Sequence, residues 1–210
     1  MSQELRLPPL YAILDPEQTK ARAAETVLRE LLEGGIELLQ LRAKVMPSGD
    51  FLRLALTARA RTRSYDCKLI VNDRVDIALA CGADGVHLGQ QDLPLLAARK
   101  LMGDRIIGIS THDLEQAREA ERSGADYIGF GPLFGTATKD TGYSARGVVM
   151  LRAIRKAVSL PIVAIGGITE TNVTEVWQAG ANSAAIISDI LAAADIAAKA
   201  KRIAASRPVT

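Results

Sequence analysis

Short apolar runs alternate along the chain with longer stretches in which apolar residues recur at helical spacing. The short runs predict strands at Leu10–Leu14, Leu38–Ala43, Lys68–Asn72, Gly85–Leu88, Ile106–Ser110, Tyr127–Gly131, Ile162–Gly166 and Ala184–Ser188. The longer stretches predict helices at Lys20–Glu33, Asp50–Ser64, Arg74–Cys81, Pro94–Met102, Leu114–Ser123, Arg146–Val158, Asn172–Ala179 and Ile196–Ala205. Strands with little polar alternation are those covered on both faces, as in parallel sheets. Eight strand–helix units in this order predict a single (β/α)8 TIM barrel spanning residues 1–210 as one domain. The chain is short for that fold, so long lids and inserted domains are not expected. The turns Gly34-Gly35-Ile36-Glu37, Gly82-Ala83-Asp84, Gly124-Ala125-Asp126 and Gly180-Ala181-Asn182 end helices ahead of strands two, four, six and eight. Their intervals of roughly 40 to 55 residues suggest a two-unit internal repeat, with glycine in a left-handed helix cap.

One strand breaks the apolar rule. Gln40, Arg42 and Lys44 alternate with Leu39, Leu41 and Ala43, which puts three polar side chains on one strand face. In a sheet covered on both sides they would point inward, where unpaired charge is costly. An inward basic comb is tolerable at a barrel mouth that binds an anion. In this fold the site lies at the C-terminal ends of the strands. Those ends carry Asn72-Asp73-Arg74, His87, Gln90-Gln91-Asp92, Ser110-Thr111-His112, the loop Gly131–Lys139, Gly166-Gly167 and Ser188. The opposite ends are mainly Gly-Ala turns, and this asymmetry points to a binding site on one rim.

Charge is balanced, with 26 Lys and Arg against 24 Asp and Glu, so binding of nucleic acid or a membrane surface through bulk charge is not expected. Hydrophobic residues make up 48 %, enough for a full core, but no run reaches membrane-spanning length. The N-terminal Met1-Ser2-Gln3-Glu4 lacks a signal-peptide pattern, and Cys67 and Cys81 are expected as reduced thiols. A cytoplasmic location follows as an expectation. A homodimer is compatible with the sequence, which leaves the oligomeric state open.

Gly166-Gly167 and Ser188 occupy the usual phosphate position of the fold, where backbone N–H groups meet phosphate oxygens; a plain tight turn is the alternative. Thr136, Thr138 and Lys139 would suit further phosphate contacts, although as an isolated string they read as a solvated loop. Asp73 and Asp92 follow adjacent strands and could share one Mg²⁺, or each could cap the helix that follows it. Spacing leaves both readings open; the cations Arg42, Lys44 and Lys139 imply a polyanion, which favours the metal. His87, between apolar neighbours, reads first as a satisfied core residue and second as a general base. His112 reads as a loop or cap residue, Trp177 as packing, and Tyr143 as a cover for the mouth. No Ser/His/Asp or Cys/His pairing is evident.

Taken as a set, Gln40–Lys44, Val71–Arg74, the stretch Ala83–Asp92, Gly131–Lys139 and Pro161–Ile168 resemble the thiamine-phosphate synthase family over nearly the whole chain. The resemblance implies a barrel enzyme joining 4-amino-2-methyl-5-hydroxymethylpyrimidine diphosphate to thiazole phosphate. It implies Asp73 and Asp92 as Mg²⁺ ligands, and Arg42, Lys44, Asn72 and Lys139 as diphosphate contacts. It sets Gln40 and Ser110 on the pyrimidine side, Ser110 also reaching the diphosphate. Thr136, Thr138, Gly167 and the Ile187-Ser188 backbone become the thiazole-phosphate cradle. Two residues depart from the pattern: Gly135 stands where the family often has proline, and Asp189 puts a carboxylate beside the phosphate position. The related thiazole tautomerase is the nearest alternative but has no need of the diphosphate and Mg²⁺ residues. A non-catalytic phosphate-binding barrel is the alternative from another class, and an aldolase or epimerase lacks its Schiff-base lysine or acid pair here.

Overall fold

Eight parallel strands close into one barrel, in the order β1 to β8, in the computed structural model, which describes residues 5–135 and 142–208. The strands are β1 Leu10–Leu14, β2 Leu38–Leu41, β3 Lys68–Asn72, β4 Gly85–Leu88, β5 Ile106–Thr111, β6 Tyr127–Phe130, β7 Ile162–Ile165 and β8 Ser183–Ile186. The helices are α1 Ala24–Glu33, α2 Ser48–Ser64, α3 Val75–Cys81, α4 Leu95–Met102, α5 Leu114–Arg122, α6 Gly147–Ala157, α7 Val173–Gln178, α8 Ser188–Leu191 and α9 Ile196–Ala205. Closure comes from β1 pairing with β8, Leu10 opposite Ala184 and Ala12 opposite Ile186. Every predicted strand and helix is found, with ends shifted by up to four residues. The short α8 and a 3₁₀ turn at Pro16–Gln18 were not anticipated.

Alternation sorts each strand between two cores. Leu10, Ala12 and Leu14 of β1 face outward into the large apolar layer beneath the helices. Tyr11 and Ile13 face inward with Leu38, Ile70, Tyr127, Val163 and Ala185. Both faces of every strand are covered, which is why the strands read as nearly unbroken apolar runs.

The repeating turns have a common job at the N-terminal rim. Gly35, Gly82, Gly124 and Gly180 all have positive φ, from 68° to 95°, the region glycine enters without steric cost. After Gly82, Gly124 and Gly180, the acid or amide two residues on clamps the preceding unit. The Asp84 carboxylate accepts from Leu69 N–H of β3 and from Arg59 of α2, both at 2.7 Å. Asp126 does the same with Ile107 N–H of β5 and Arg99 of α4, both at 2.7 Å. Asn182 accepts from Ile162 N–H of β7 at 2.9 Å and from Arg155 of α6 at 3.1 Å. Each clamp supplies a partner to the leading N–H groups of an odd-numbered strand, as burial of backbone polar groups requires.

Cys67 and Cys81 are both buried free thiols, and Trp177 is packed in the apolar layer, 8 % exposed. Burial pushes the Cys67 thiol up to about 12, helped by the negative charges of Asp84, Glu37 and Asp66. Iodoacetamide at pH 8 is expected to label neither cysteine in the folded protein and both in urea, read by mass spectrometry. Asp126→Ala strands Ile107 N–H, while Arg99 keeps its bonds to the Gly103, Arg105 and Gly124 carbonyls, and is expected to cost about 1–3 kcal/mol in urea unfolding. Asp126→Asn keeps the acceptor, as Asn182 does, and is expected to cost much less.

Candidate active site

A cavity opens at the C-terminal ends of the strands, lined by Tyr11, Gln40, Arg42, Asn72, His87, Ser110 and His112 on one side. The other side is formed by Gly131, Pro132, Ile165, Gly166, Gly167, Ile168, Ile187 and Ser188. Seven of the expected site residues therefore meet there: Gln40, Arg42, Asn72, Ser110, Gly167, Ile187 and Ser188. Lys44, Asp73 and Asp92 lie outside its lining, as a group of their own. Thr136, Thr138 and Lys139 lie outside the described residues.

The comb is not one continuous strand face. β2 ends at Leu41, and only Gln40, 4 % exposed, is a strand residue. Arg42 stays in line because its N–H donates to the Leu14 carbonyl at 3.0 Å. Its guanidinium is paired with Asp15, whose side chain is fully buried. Lys44 is in the following loop, 40 % exposed, and its ammonium meets Asp73. Both cations thus have carboxylate partners within the protein itself. Arg42 has five N–H donors in a planar fork, so the bond from one Nη1 to Asp15 orients the group and leaves donors for a ligand.

Asp73 and Asp92 are not helix caps. The caps of α3 and α4 are Arg74 and Pro94, and neither bonds through its side chain. Asp73 has φ of 61°, an uncommon conformation that aspartate tolerates better than most residues. Its N–H donates to the His87 carbonyl at 2.8 Å. Asp92 accepts from Gly89 N–H at 2.7 Å. Burial holds the Asp92 carboxyl above the usual range, and the adjoining Asp73 carboxyl raises it further. Like charges in contact resist ionising together, and a divalent cation relieves that repulsion. Among the described residues no group of three or more His, Cys, Asp or Glu forms a metal cage. Two carboxylates fit the donor set of Mg²⁺, which keeps waters and takes further oxygens from phosphate groups.

At the opposite wall, Gly166 and Gly167 have φ of 98° and 64°. A Cβ on Gly166 would lie 2.7 Å from Pro132 Cα, and one on Gly167 2.5 Å from the Gly135 carbonyl. The segment after β6 runs along them, Leu133 and Phe134 N–H donating to the Ile165 and Gly166 carbonyls at 2.8 and 2.9 Å. The pair is thus both a tight turn and part of the cavity wall. β8 stops at Ile186 rather than Ser188, and Ser188 opens the turn of α8. The Asp189 carboxylate is taken up by Lys199 at 2.7 Å and Glu170 N–H at 3.0 Å. It is committed to these partners, which removes the conflict expected from a carboxylate beside a phosphate.

Three residues at or beneath the site were not among the sequence candidates: Asp15, Tyr11 and Tyr127. Asp15 follows β1 at the same rim height as the others, a signal that was available. Tyr11 and Tyr127 looked like ordinary strand aromatics. His87 is satisfied in the core as expected, with Nδ1 3.0 Å from Tyr127 Oη and Nε2 2.9 Å from Ser110 Oγ, yet it also lines the cavity. His112 is a loop residue, its Nδ1 2.6 Å from the Gly131 carbonyl, and Tyr143 stacks on it at 4.1 Å.

Comparison with known proteins follows the same lines. A family model described as thiamine monophosphate synthase matches residues 10–190. The thiamine-phosphate synthase of Chloroflexus aurantiacus is 44 % identical over 96 % of this chain and 93 % of its own. That of Halalkalibacterium halodurans is 46 % identical over 89 % of each. The solved structure of a thiamine phosphate pyrophosphorylase from Pyrococcus furiosus has a TM-score of 0.87 at 38 % identity, covering 94 % of each chain. A 3-hexulose-6-phosphate synthase structure, with TM-score 0.72 and 19 % identity, shares the fold alone. The chain belongs to the thiamine monophosphate synthase family and is an enzyme of the transferase class.

Proposed function

We propose that the enzyme condenses 4-amino-2-methyl-5-hydroxymethylpyrimidine diphosphate with 4-methyl-5-(2-phosphoethyl)thiazole, or its carboxylated form, giving thiamine phosphate and diphosphate, with carbon dioxide also released from the carboxylated form. One observation carries the reading: a single cavity has Gln40, Arg42, Asn72 and Ser110 on one wall and Gly166 to Ile168 with Ile187 and Ser188 on the other. The first wall suits an aminopyrimidine with its diphosphate, and the second suits the phosphate of the partner substrate.

In this reaction the bond from the pyrimidine methylene carbon to the diphosphate oxygen breaks, its electron pair leaving on the diphosphate. The thiazole nitrogen supplies the pair for the new carbon–nitrogen bond. The aminopyrimidine ring donates electron density to the methylene carbon, so departure precedes attack and no strong base is needed. The protein's task is to hold two substrates in line and to stabilise charge on the leaving group. Arg42 does so from a fixed position, because Asp15 pins its guanidinium. Asn72 and Ser110 donate beside it, and Lys44 adds charge from the rim. Asp73 and Asp92 would hold Mg²⁺, which when bound supplies positive charge to the diphosphate. Lys139, Thr136 and Thr138 enter this reading through the family resemblance alone.

Incubation with both substrates and Mg²⁺ is expected to yield thiamine phosphate; no product where a control synthase works would sink the proposal. Arg42→Ala and Asp73→Asn are each expected to lower coupling by at least about two orders of magnitude. Near-native rates in both variants would refute the residue roles. Because Arg42→Ala also strands the buried Asp15, its melting temperature is to be recorded alongside.

The raised Asp92 carboxyl sets a pH dependence. A cation must compete with its proton, so Mg²⁺ affinity in the presence of inorganic diphosphate is expected to rise as pH climbs from the ordinary carboxylate range through the raised one. The metal-free protein is expected to follow the opposite trend, the stability tied to protonated Asp92 being lost over the same window. Asp92→Asn is expected to abolish both pH steps, measured by calorimetric titration and thermal unfolding.

A further inference from the structure

Five side chains form one hydrogen-bonded chain across the barrel interior. Gln40 Nε2 donates to Tyr11 Oη at 2.9 Å, and Tyr11 Oη lies 2.9 Å from Tyr127 Oη. Tyr127 Oη is 3.0 Å from His87 Nδ1, and His87 Nε2 is 2.9 Å from Ser110 Oγ. Tyr11 and Tyr127 are at most 1 % exposed, whereas Gln40 and Ser110 stand at the cavity. The barrel makes room for the rings by omitting side chains. A Cβ on Gly108 would overlap the Tyr127 ring, and one on Gly129 would lie 2.9 Å from His87 Cε1.

Each tyrosine has one proton to donate, and a neutral imidazole has one donor and one acceptor nitrogen. The direction of one bond therefore sets the direction of all. With Gln40 donating, Tyr11 donates to Tyr127, Tyr127 to His87 Nδ1, and His87 Nε2–H to Ser110. The Ser110 hydroxyl proton is then left for a ligand acceptor, and the Gln40 carbonyl for a ligand donor. Burial pushes the pKa of both phenols above the ordinary value, so each keeps its proton.

We propose that Tyr11, Tyr127 and His87 are positioning residues that lock these two ends together, so that the site selects a ligand presenting an N–H donor to Gln40 and an anionic or other acceptor to Ser110. Resting on the proposed function, this is what distinguishes an aminopyrimidine diphosphate from its oxo counterpart. The oxo ring offers an acceptor to Gln40. Where that acceptor meets the Gln40 carbonyl position, pairing it requires the amide to turn and the whole chain to reverse, which turns the Ser110 hydroxyl proton back toward His87 and away from the diphosphate.

Two experiments test the idea, the first without any substrate. In ¹⁵N-histidine-labelled wild-type protein, His87 is expected with Nε2 protonated and Nδ1 bare. The opposite tautomer, or an imidazolium at pH 8, overturns the proposal. The second compares kcat/KM for the amino substrate and the analogue with oxygen in place of the exocyclic amine. Tyr127→Phe is expected to reduce the preference for the amine by about tenfold or more, the scale of one mispaired hydrogen bond. In that background Ser110→Ala is expected to cost about tenfold less than in wild type. Tyr11→Phe, which cuts another link, is expected to reduce the preference likewise. An unchanged amine preference in a folded variant overturns the proposal, since a general loss of packing would lower both rates together. Failure of the wild type to couple either pyrimidine counts against the functional reading, and the tautomer still decides the chain.

Discussion

Closure of β1 onto β8 forces half of every strand's side chains into one narrow interior. That interior cannot be filled like the outer layer, because eight strands converge on it and its space is shared by all of them. The solution here is uneven: large Tyr11, Tyr127 and His87 on three strands, and bare backbone at Gly108 and Gly129. The aromatic hydroxyls and the imidazole are then buried beside one another, and buried polar groups need hydrogen-bond partners. They bond each other, and the row they form ends at the two polar groups, Gln40 and Ser110, that look into the cavity. Packing the barrel and setting the polarity of the site are thus one problem.

Charge is handled in the same local way. The rim cations do not wait for a ligand, since Arg42 has Asp15 and Lys44 has Asp73. A buried Asp15–Arg42 pair adds little net stability against apolar replacements, but breaking it leaves a charge stranded. Its value lies in holding a guanidinium still at the mouth. The Lys44–Asp73 pair is more exposed and contributes less to stability, so an incoming cation or anion can exchange either partner at small cost. The rim opposite the site uses acids differently, with Asp84 and Asp126 joined to arginines and to strand N–H groups. The candidate site lies at one end of the barrel and the structural clamps at the other.

Most of the fold was legible. The apolar runs gave all eight strands, because strands covered on both sides leave no polar alternation to confuse them, and the Gly-Ala-Asp turns marked the repeat. Two elements were missed for stated reasons. The turn at Pro16–Gln18 is held by an Asp15 side-chain bond that no periodicity displays, and α8 is too short to show one. Of the comb, Gln40 and Arg42 line the cavity, although only Gln40 is a strand residue, and Lys44 stands outside the lining. Asp73 and Asp92 were legible as acids at the rim; that neither caps its helix depended on backbone geometry.

The sequence alone determined which residues stand on which rim, since strand ends and side-chain alternation follow from the order of polar and apolar positions. It could not determine partners. Asp15 meets Arg42 across 27 positions and Tyr11 meets Tyr127 across 116, contacts that exist only once the barrel has closed. Whether a buried histidine is inert, whether an acid caps a helix or faces another acid, and which end of an amide looks into the cavity are all set by neighbours remote in the chain. Hydrogen bonds and ion pairs act over a few ångströms, so the tertiary structure decides them.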